Sequence, residues 1–419
     1  MTPVLVGAEK NTRNVTVGRG AFVVPGFRAG TAASGMRYQG RADLALIAAD
    51  GPDGAVTAGV FTTNRFCAAP VVVCQDHLQR STGISAILVN AGIANACTGE
   101  PGLERARETA RLAAQALRTT PEKILVASTG VIGMQLVVDV LARALPELVA
   151  GLRADGWAEA ARAIMTTDTV PKLASTRVEL GGKPVTIGGI AKGAGMIAPN
   201  MATMLGFVAT DAVIARPVLQ SLLKAATATS FNAITIDGDT STNDTLLVMA
   251  GGTAGNEPIT DPESLDGRLM GEALQAVLLD LARQLVMDGE GATKLIEIRV
   301  TGAAEAASAR EVAFTVANSP LVKTAFFGED ANWGRIVAAA GRAGVPLVAE
   351  RVALFFDDLC VFREGTPVTG QEVEEQATRI FKQKEITVRL DLGLGNASFT
   401  AHTCDFSYDY VKINASYRS

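Results

Sequence analysis

Apolar and charged residues alternate along Ile296, Glu297, Ile298, Arg299 and Val300, and apolar residues fall at every second position through Ile386, Val388, Leu390 and Leu392. That period of two predicts half-buried strands. The stretches Ala86 to Asn90 and Lys123 to Ala127, apolar but for Asn90 and Lys123 at their ends, predict buried strands. Between them Leu103, Ala106, Ala110, Ala113 and Leu117 recur at helical spacing, and Thr119-Thr120-Pro121 ends that helix, because proline disfavours helical backbone in the residue before it. Further helices are predicted near Pro217 to Ala228, around Val373, Ala377, Ile380 and Phe381, and over Leu269 to Met287. In the last, Met270, Leu274, Val277, Leu278, Leu281 and Leu285 share a face. Strands and helices mixed through 419 residues predict an α/β fold of two domains.

The uncharged stretches Ser81 to Gly99 and Gly193 to Thr210 approach the roughly 20 residues that span a bilayer. Asn90 and Asn95 in the first, and Pro199, Asn200, glycines and threonines in the second, have no cheap place in lipid, so both are expected inside a water-soluble protein. The turn-rich run Gly251 to Gly267 reads as an inter-domain connection or a surface loop, with the loop favoured. A net charge of -5 lacks the concentrated positive charge that binds nucleic acid. Cys67, Cys74, Cys97, Cys360 and Cys404 form no metal-ligand pattern and are odd in number, and the first residues lack an export signal, which together predict a reducing cytoplasm.

The run Lys192-Gly193-Ala194-Gly195-Met196-Ile197-Ala198-Pro199-Asn200-Met201-Ala202-Thr203-Met204-Leu205-Gly206 follows neither the helical nor the strand pattern. Its glycines and Pro199-Asn200 predict a tight turn, and its apolar flanks predict burial. Alone, it also suits a threonine entering a strand from a glycine-rich loop. The run resembles the self-cleavage signature of the ornithine acetyltransferase, or glutamate N-acetyltransferase, family of arginine biosynthesis (the ArgJ family). Further matches are Ser128-Thr129-Gly130-Val131-Ile132-Gly133, Met165-Thr166-Thr167-Asp168-Thr169, Asp288-Gly289-Glu290-Gly291-Ala292-Thr293-Lys294 and Asn414-Ala415-Ser416-Tyr417-Arg418-Ser419. They cover nearly the whole chain.

The resemblance implies a self-processing fold related to N-terminal-nucleophile aminopeptidases. The chain would be cut between Ala202 and Thr203 into an α chain of residues 1–202 and a β chain of residues 203–419. Acyl transfer through a covalent intermediate needs a nucleophile, a base and donors for an oxyanion. Cutting before Thr203 frees an α-amine beside its hydroxyl, and a reference pKa of roughly 7.7 to 8.0 makes that amine a usable base. The only histidines, His77 and His402, sit in no catalytic motif and read as structural.

By the same resemblance Thr129 and Gly130 form the oxyanion hole, and Thr166, Lys192, Thr203, Glu290, Asn414 and Ser419 bind substrate. Read from the residues alone, Thr129 and Gly130 better suit a glycine turn after the strand ending near Ala127, while Glu290 suits a solvated loop acid as well as a binding residue. Lys192, a lone cation in an apolar turn, is better explained by an anionic ligand than by exposure. A binding residue at Ser419 predicts an ordered C-terminus.

Leu392-Gly393-Leu394-Gly395 imitates a nucleotide loop but follows a strand and precedes no helix. Asp237 to Asp244 lacks the glutamate that closes a calcium loop and reads as a polar turn near the site. The expected activity is acetyl transfer from N-acetylornithine to glutamate through an acetyl-Thr203 intermediate, without metal or cofactor, in an α2β2 heterotetramer. Use of acetyl-CoA as a second donor is left open. Competing readings are a self-cleaving amidohydrolase with water as acceptor and a non-catalytic protein of the same fold.

Overall fold

Ile296, Ile298 and Val300 lie on the strand Leu295–Ala303, in parallel register with Ile386, Val388 and Leu390 of Glu385–Asp391. The two alternating patterns therefore place their apolar side chains in matching cross-strand pairs, the unit that stabilises a sheet. The computed structural model describes residues 15–198 and 204–416. Around this pair a sheet runs in the order Thr366–Pro367, Leu359–Arg363, Ala353–Phe356, Glu385–Asp391, Leu295–Ala303 and Ala397–Cys404. The helices Ala306–Ala317, Pro320–Phe327, Trp333–Gly341 and Gln371–Phe381 bury Val312, Val316, Val322, Phe326, Ile336 and Phe381 in one core with these strands. Residues 233–238 and 286–416 make up this compact unit.

A second compact unit comprises residues 15–232 and 239–285. One of its sheets has the order Phe27–Ala32, Leu44–Ala49, Ala86–Ile93 and Ile124–Val131. The other has the order Val56–Phe61, Thr245–Ala250, Leu205–Thr210, Lys183–Lys192 and Lys172–Leu180. Ile47, Ile87, Val89 and Leu125 of the first share a core with Ile190, Leu205, Phe207, Leu247 and Met249 of the second, so the sheets face each other. On the far side of the first, Leu46, Leu88 and Val126 pack against the helices Gly99–Leu117 and Val138–Ala150. A strand buried on both faces takes apolar residues at consecutive positions, which is why Ala86 to Val89 reads as an unbroken run.

The helices expected from spacing are present as Gly99–Leu117, Arg216–Ala228, Leu265–Met287 and Gln371–Phe381. The α/β expectation holds. Both long uncharged stretches contain strands rather than spans, Ala86–Ile93 and Leu205–Thr210, and among the described residues no helix is long and apolar enough to cross a membrane. The turn-rich run after Gly251 stays within the second unit. Leu392 to Gly395 joins two strands of the first sheet described and opens no helix.

Candidate active site

Lys192 is the last residue of the strand Lys183–Lys192, and Leu205 on the neighbouring strand is its register partner. This corrects the expectation of a patternless segment: the ladder extends up to the glycine-rich turn. The strand end carries the lysine inward, where its side chain is almost fully buried. Its Nζ donates to Thr166 Oγ1 at 2.7 Å and to Thr129 Oγ1 at 3.2 Å. Three predicted site residues, remote in sequence, thus meet at one ammonium group.

Lys192 is not a lone cation. Asp168 Oδ2 stands 3.7 Å from its Nζ, and Asp168 Oδ1 accepts a bond from Lys172 Nζ at 2.5 Å. The same carboxylate accepts the backbone N–H groups of Gly193 at 2.6 Å and Thr166 at 3.0 Å. Burial works to raise Asp168, but Lys192, Lys172 and these bonds outweigh it and hold the carboxyl well below the usual range. Asp168 therefore stays charged, which is what allows two lysines to be buried beside it. The sequence displayed Asp168 within a matched motif and gave no sign of this task.

Thr129 and Gly130 lie within the strand Ile124–Val131, not in a turn after it. Gly130 has φ of 128°, and a Cβ there would come within 2.2 Å of the Gly92 carbonyl carbon. Only glycine fits, because the partner strand also narrows to glycine at that register. Buried amides fix this strand end. Ser128 Oγ donates to Asn90 Oδ1 at 2.6 Å, Asn90 Nδ2 to the Ile93 carbonyl at 2.9 Å, and Asn243 Nδ2 to the carbonyls of Ala94 and Ser128 at 2.7 and 2.9 Å.

Ala202, Thr203 and Ser419 lie outside the described residues. Met204, the residue after Thr203, is described: its N–H donates to Asp244 Oδ1 at 3.0 Å. Thr129, Lys192, Met204, Leu205, Asn243 and Asp244 line one small cavity. Of the polar run Asp237 to Asp244, which its composition placed near the site, Asn243 and Asp244 line this cavity.

Glu290 and Asn414 belong to the other unit. Glu290 is buried in the turn that follows the helix Leu265–Met287, and Asn414 on the helix Tyr408–Ser416 donates to its Oε2 at 2.8 Å. Two residues matched from separate motifs are therefore bonded to each other. His77 reads as structural, since Nδ1 lies 2.7 Å from the Ile124 carbonyl in a buried setting. His402 Nε2 lies 3.3 Å from Glu297 Oε2.

A family model described as the ArgJ family matches residues 28–419. The arginine biosynthesis bifunctional protein ArgJ of Desulfotalea psychrophila is 53% identical over 396 residues, which cover 94% of this chain and 100% of the relative. Its counterpart in Geobacter sulfurreducens is 49% identical over 396 residues, with the same coverage of 94% and 100%. The crystal structure of arginine biosynthesis bifunctional protein ArgJ from Bacillus halodurans is 45% identical with a TM-score of 0.47, covering 49% of this chain and 96% of that one.

Proposed function

The chain belongs to the ArgJ family, and we propose that it cuts itself between Ala202 and Thr203 and then uses Thr203 to move acetyl from N-acetyl-L-ornithine to L-glutamate in arginine biosynthesis. The observation that carries this reading is the meeting of Thr129 and Thr166 at buried Lys192, in a cavity that also reaches Met204. In this reading the freed α-amine takes the Thr203 hydroxyl proton as its oxygen attacks the acetyl carbonyl. Thr129 and Gly130 stabilise the oxyanion, ornithine leaves, and the glutamate amine then takes the acetyl group from Thr203.

Lys192 is assigned to a substrate carboxylate, and Thr166, Glu290, Asn414 and Ser419 are assigned to substrate binding by their match to the family's motifs. Acetyl-CoA is a second donor in this proposal, in keeping with the bifunctional relatives. Residues 1–202 and 203–419 form the α and β chains of an α2β2 assembly in the cytoplasm.

Intact mass under denaturing conditions tests the reading first. Two fragments meeting at Ala202 and Thr203 are expected, and brief exposure to N-acetylornithine should add one acetyl group to the fragment that begins with Thr203. Thr203→Ala should remain whole and inactive. A single full-length mass in folded wild-type protein overturns the proposal, and acetate release that ignores glutamate assigns the chemistry to hydrolysis instead.

A further inference from the structure

Lys323 is fully buried on the helix Pro320–Phe327, yet no carboxylate among the described residues forms an ion pair with it. Its Nζ donates to Thr403 Oγ1 at 2.5 Å and to the Cys404 carbonyl at 2.6 Å, and lies 4.7 Å from the centroid of the Phe406 ring. The Lys323 carbonyl in turn accepts the Phe406 N–H at 3.3 Å. One lysine thus grips three of the four residues 403–406, where the strand Ala397–Cys404 ends and the chain turns toward the helix Tyr408–Ser416. An ammonium group is costly to bury without a counter-charge, and a methionine of similar length would fill the same space. What an apolar side chain cannot do is hold this stretch of chain in place.

The fourth residue, Asp405, carries the turn that contains Glu290. Its Oδ1 accepts the N–H groups of Thr293 at 2.7 Å and Lys294 at 2.9 Å, and its Oδ2 accepts the Thr293 hydroxyl at 2.6 Å. Ser407 Oγ donates to the Gly291 carbonyl at 2.6 Å. The glycines on either side of Glu290 lie against the same stretch. A Cβ on Gly289 would stand 3.2 Å from Cys404 Sγ, and one on Gly291, where φ is 71°, would stand 2.5 Å from the Tyr410 nitrogen. Glu290 is therefore seated from both sides on residues 404–410, and Asn414 on the helix that follows bonds its carboxylate. All of these residues belong to one compact unit. Displacing residues 403–406 would displace the Glu290 turn with them, and a shift of about 1 Å is enough to weaken a group that must meet a ligand.

We propose that Lys323 is the positioning residue for Glu290: it pins residues 403–406 and, through Asp405, the turn that presents the Glu290 carboxylate to substrate. This rests on the reading that Glu290 binds substrate.

Lys323→Met keeps most of the side-chain bulk and removes both Nζ bonds. The expected result is a KM for N-acetylornithine higher by roughly tenfold, with a smaller loss in kcat, in protein whose complete cutting before Thr203 shows that it has folded. The deciding readout is a double-mutant cycle, because a residue that acts through Glu290 has nothing left to act on once Glu290 is changed. Adding Lys323→Met to Glu290→Gln should leave KM within about twofold of Glu290→Gln alone. Multiplied effects in the cycle, or an unchanged KM in Lys323→Met, overturn this proposal alone. If Lys323→Met fails to fold, Thr403→Val, which removes the hydroxyl that Lys323 holds, has to show the same rise and the same dependence on Glu290; failing either overturns the proposal. A Glu290→Gln enzyme with the wild-type KM overturns it together with the reading beneath it.

Discussion

Asp168 and Lys192 show what single residues contribute and what a sequence conceals about them. Lys192 was recognisable from its motif, but its counter-charge was not, because the contact is made by folding Asp168 against the end of another strand. Asp168→Asn leaves two buried ammonium groups facing an amide, and breaking a buried pair in this way costs about 3–5 kcal/mol. A clear drop in stability is therefore expected in urea titration at neutral pH. The carboxyl is held below its ordinary range when folded, so its contribution is present above the unfolded pKa of about 3.9 and is lost as pH falls below it. Lys192→Met keeps most of the stem and leaves Asp168 paired with Lys172. It should melt closer to wild type than Asp168→Asn. Losing a charge-assisted bond worth about 1.5–3 kcal/mol should raise KM for N-acetylornithine by at least roughly tenfold, and an unchanged KM would remove Lys192 from the binding set.

Strands and helices were the most legible scale, since apolar spacing is set by burial: Leu295–Ala303, Glu385–Asp391 and Gly99–Leu117 all fall where their patterns predict. Where a strand stops was less legible. Ile124–Val131 runs through Thr129 and Gly130 because Gly92 on its partner makes room for a backbone with positive φ, a pairing no local pattern announces. Gly130→Ala would set a Cβ against that backbone, which cannot retreat without opening the ladder. Loss of soluble protein, or a melting temperature lower by several degrees together with lost transfer activity, is the expected result. On the strand Leu295–Ala303 the Glu297 carboxyl is held down to about 2, first by its bond with His402, against the opposing effect of burial and with further help from Arg299. A folded value below the unfolded value of about 4.3 stabilises fully above that pH, and the effect disappears as pH falls toward 2. Glu297→Gln should therefore melt below wild type at about pH 5, with a gap that narrows toward pH 2. A gap constant with pH would show that the pair does not contribute through its charge.

At the scale of the whole molecule, the predicted cut and the folding units do not coincide. Residues 1–202 and 203–419 were expected as two chains, whereas the compact units divide the chain after residues 232, 238 and 285. Hydrophobic periodicity reports which face of an element is buried, not which distant element covers it, and so could not reveal this. Within the second unit, the strands Val56–Phe61, Lys172–Leu180 and Lys183–Lys192 precede the predicted cut, and Leu205–Thr210 and Thr245–Ala250 follow it. The two later strands lie side by side between earlier ones: Lys183–Lys192 pairs with Leu205–Thr210, and Val56–Phe61 with Thr245–Ala250. Leu125 and Ile190 from one side of the cut share a core with Phe207 and Met249 from the other. Separating the two chains would break two complete strand ladders and expose that core at once, a change comparable to unfolding the unit. The cut enzyme should therefore yield two fragments under denaturing conditions but elute as one species in native size exclusion. Urea should release the fragments only across the same transition that unfolds the sheet. Fragments that part before that transition would mean that the strands across the cut are not held by the pairing described here.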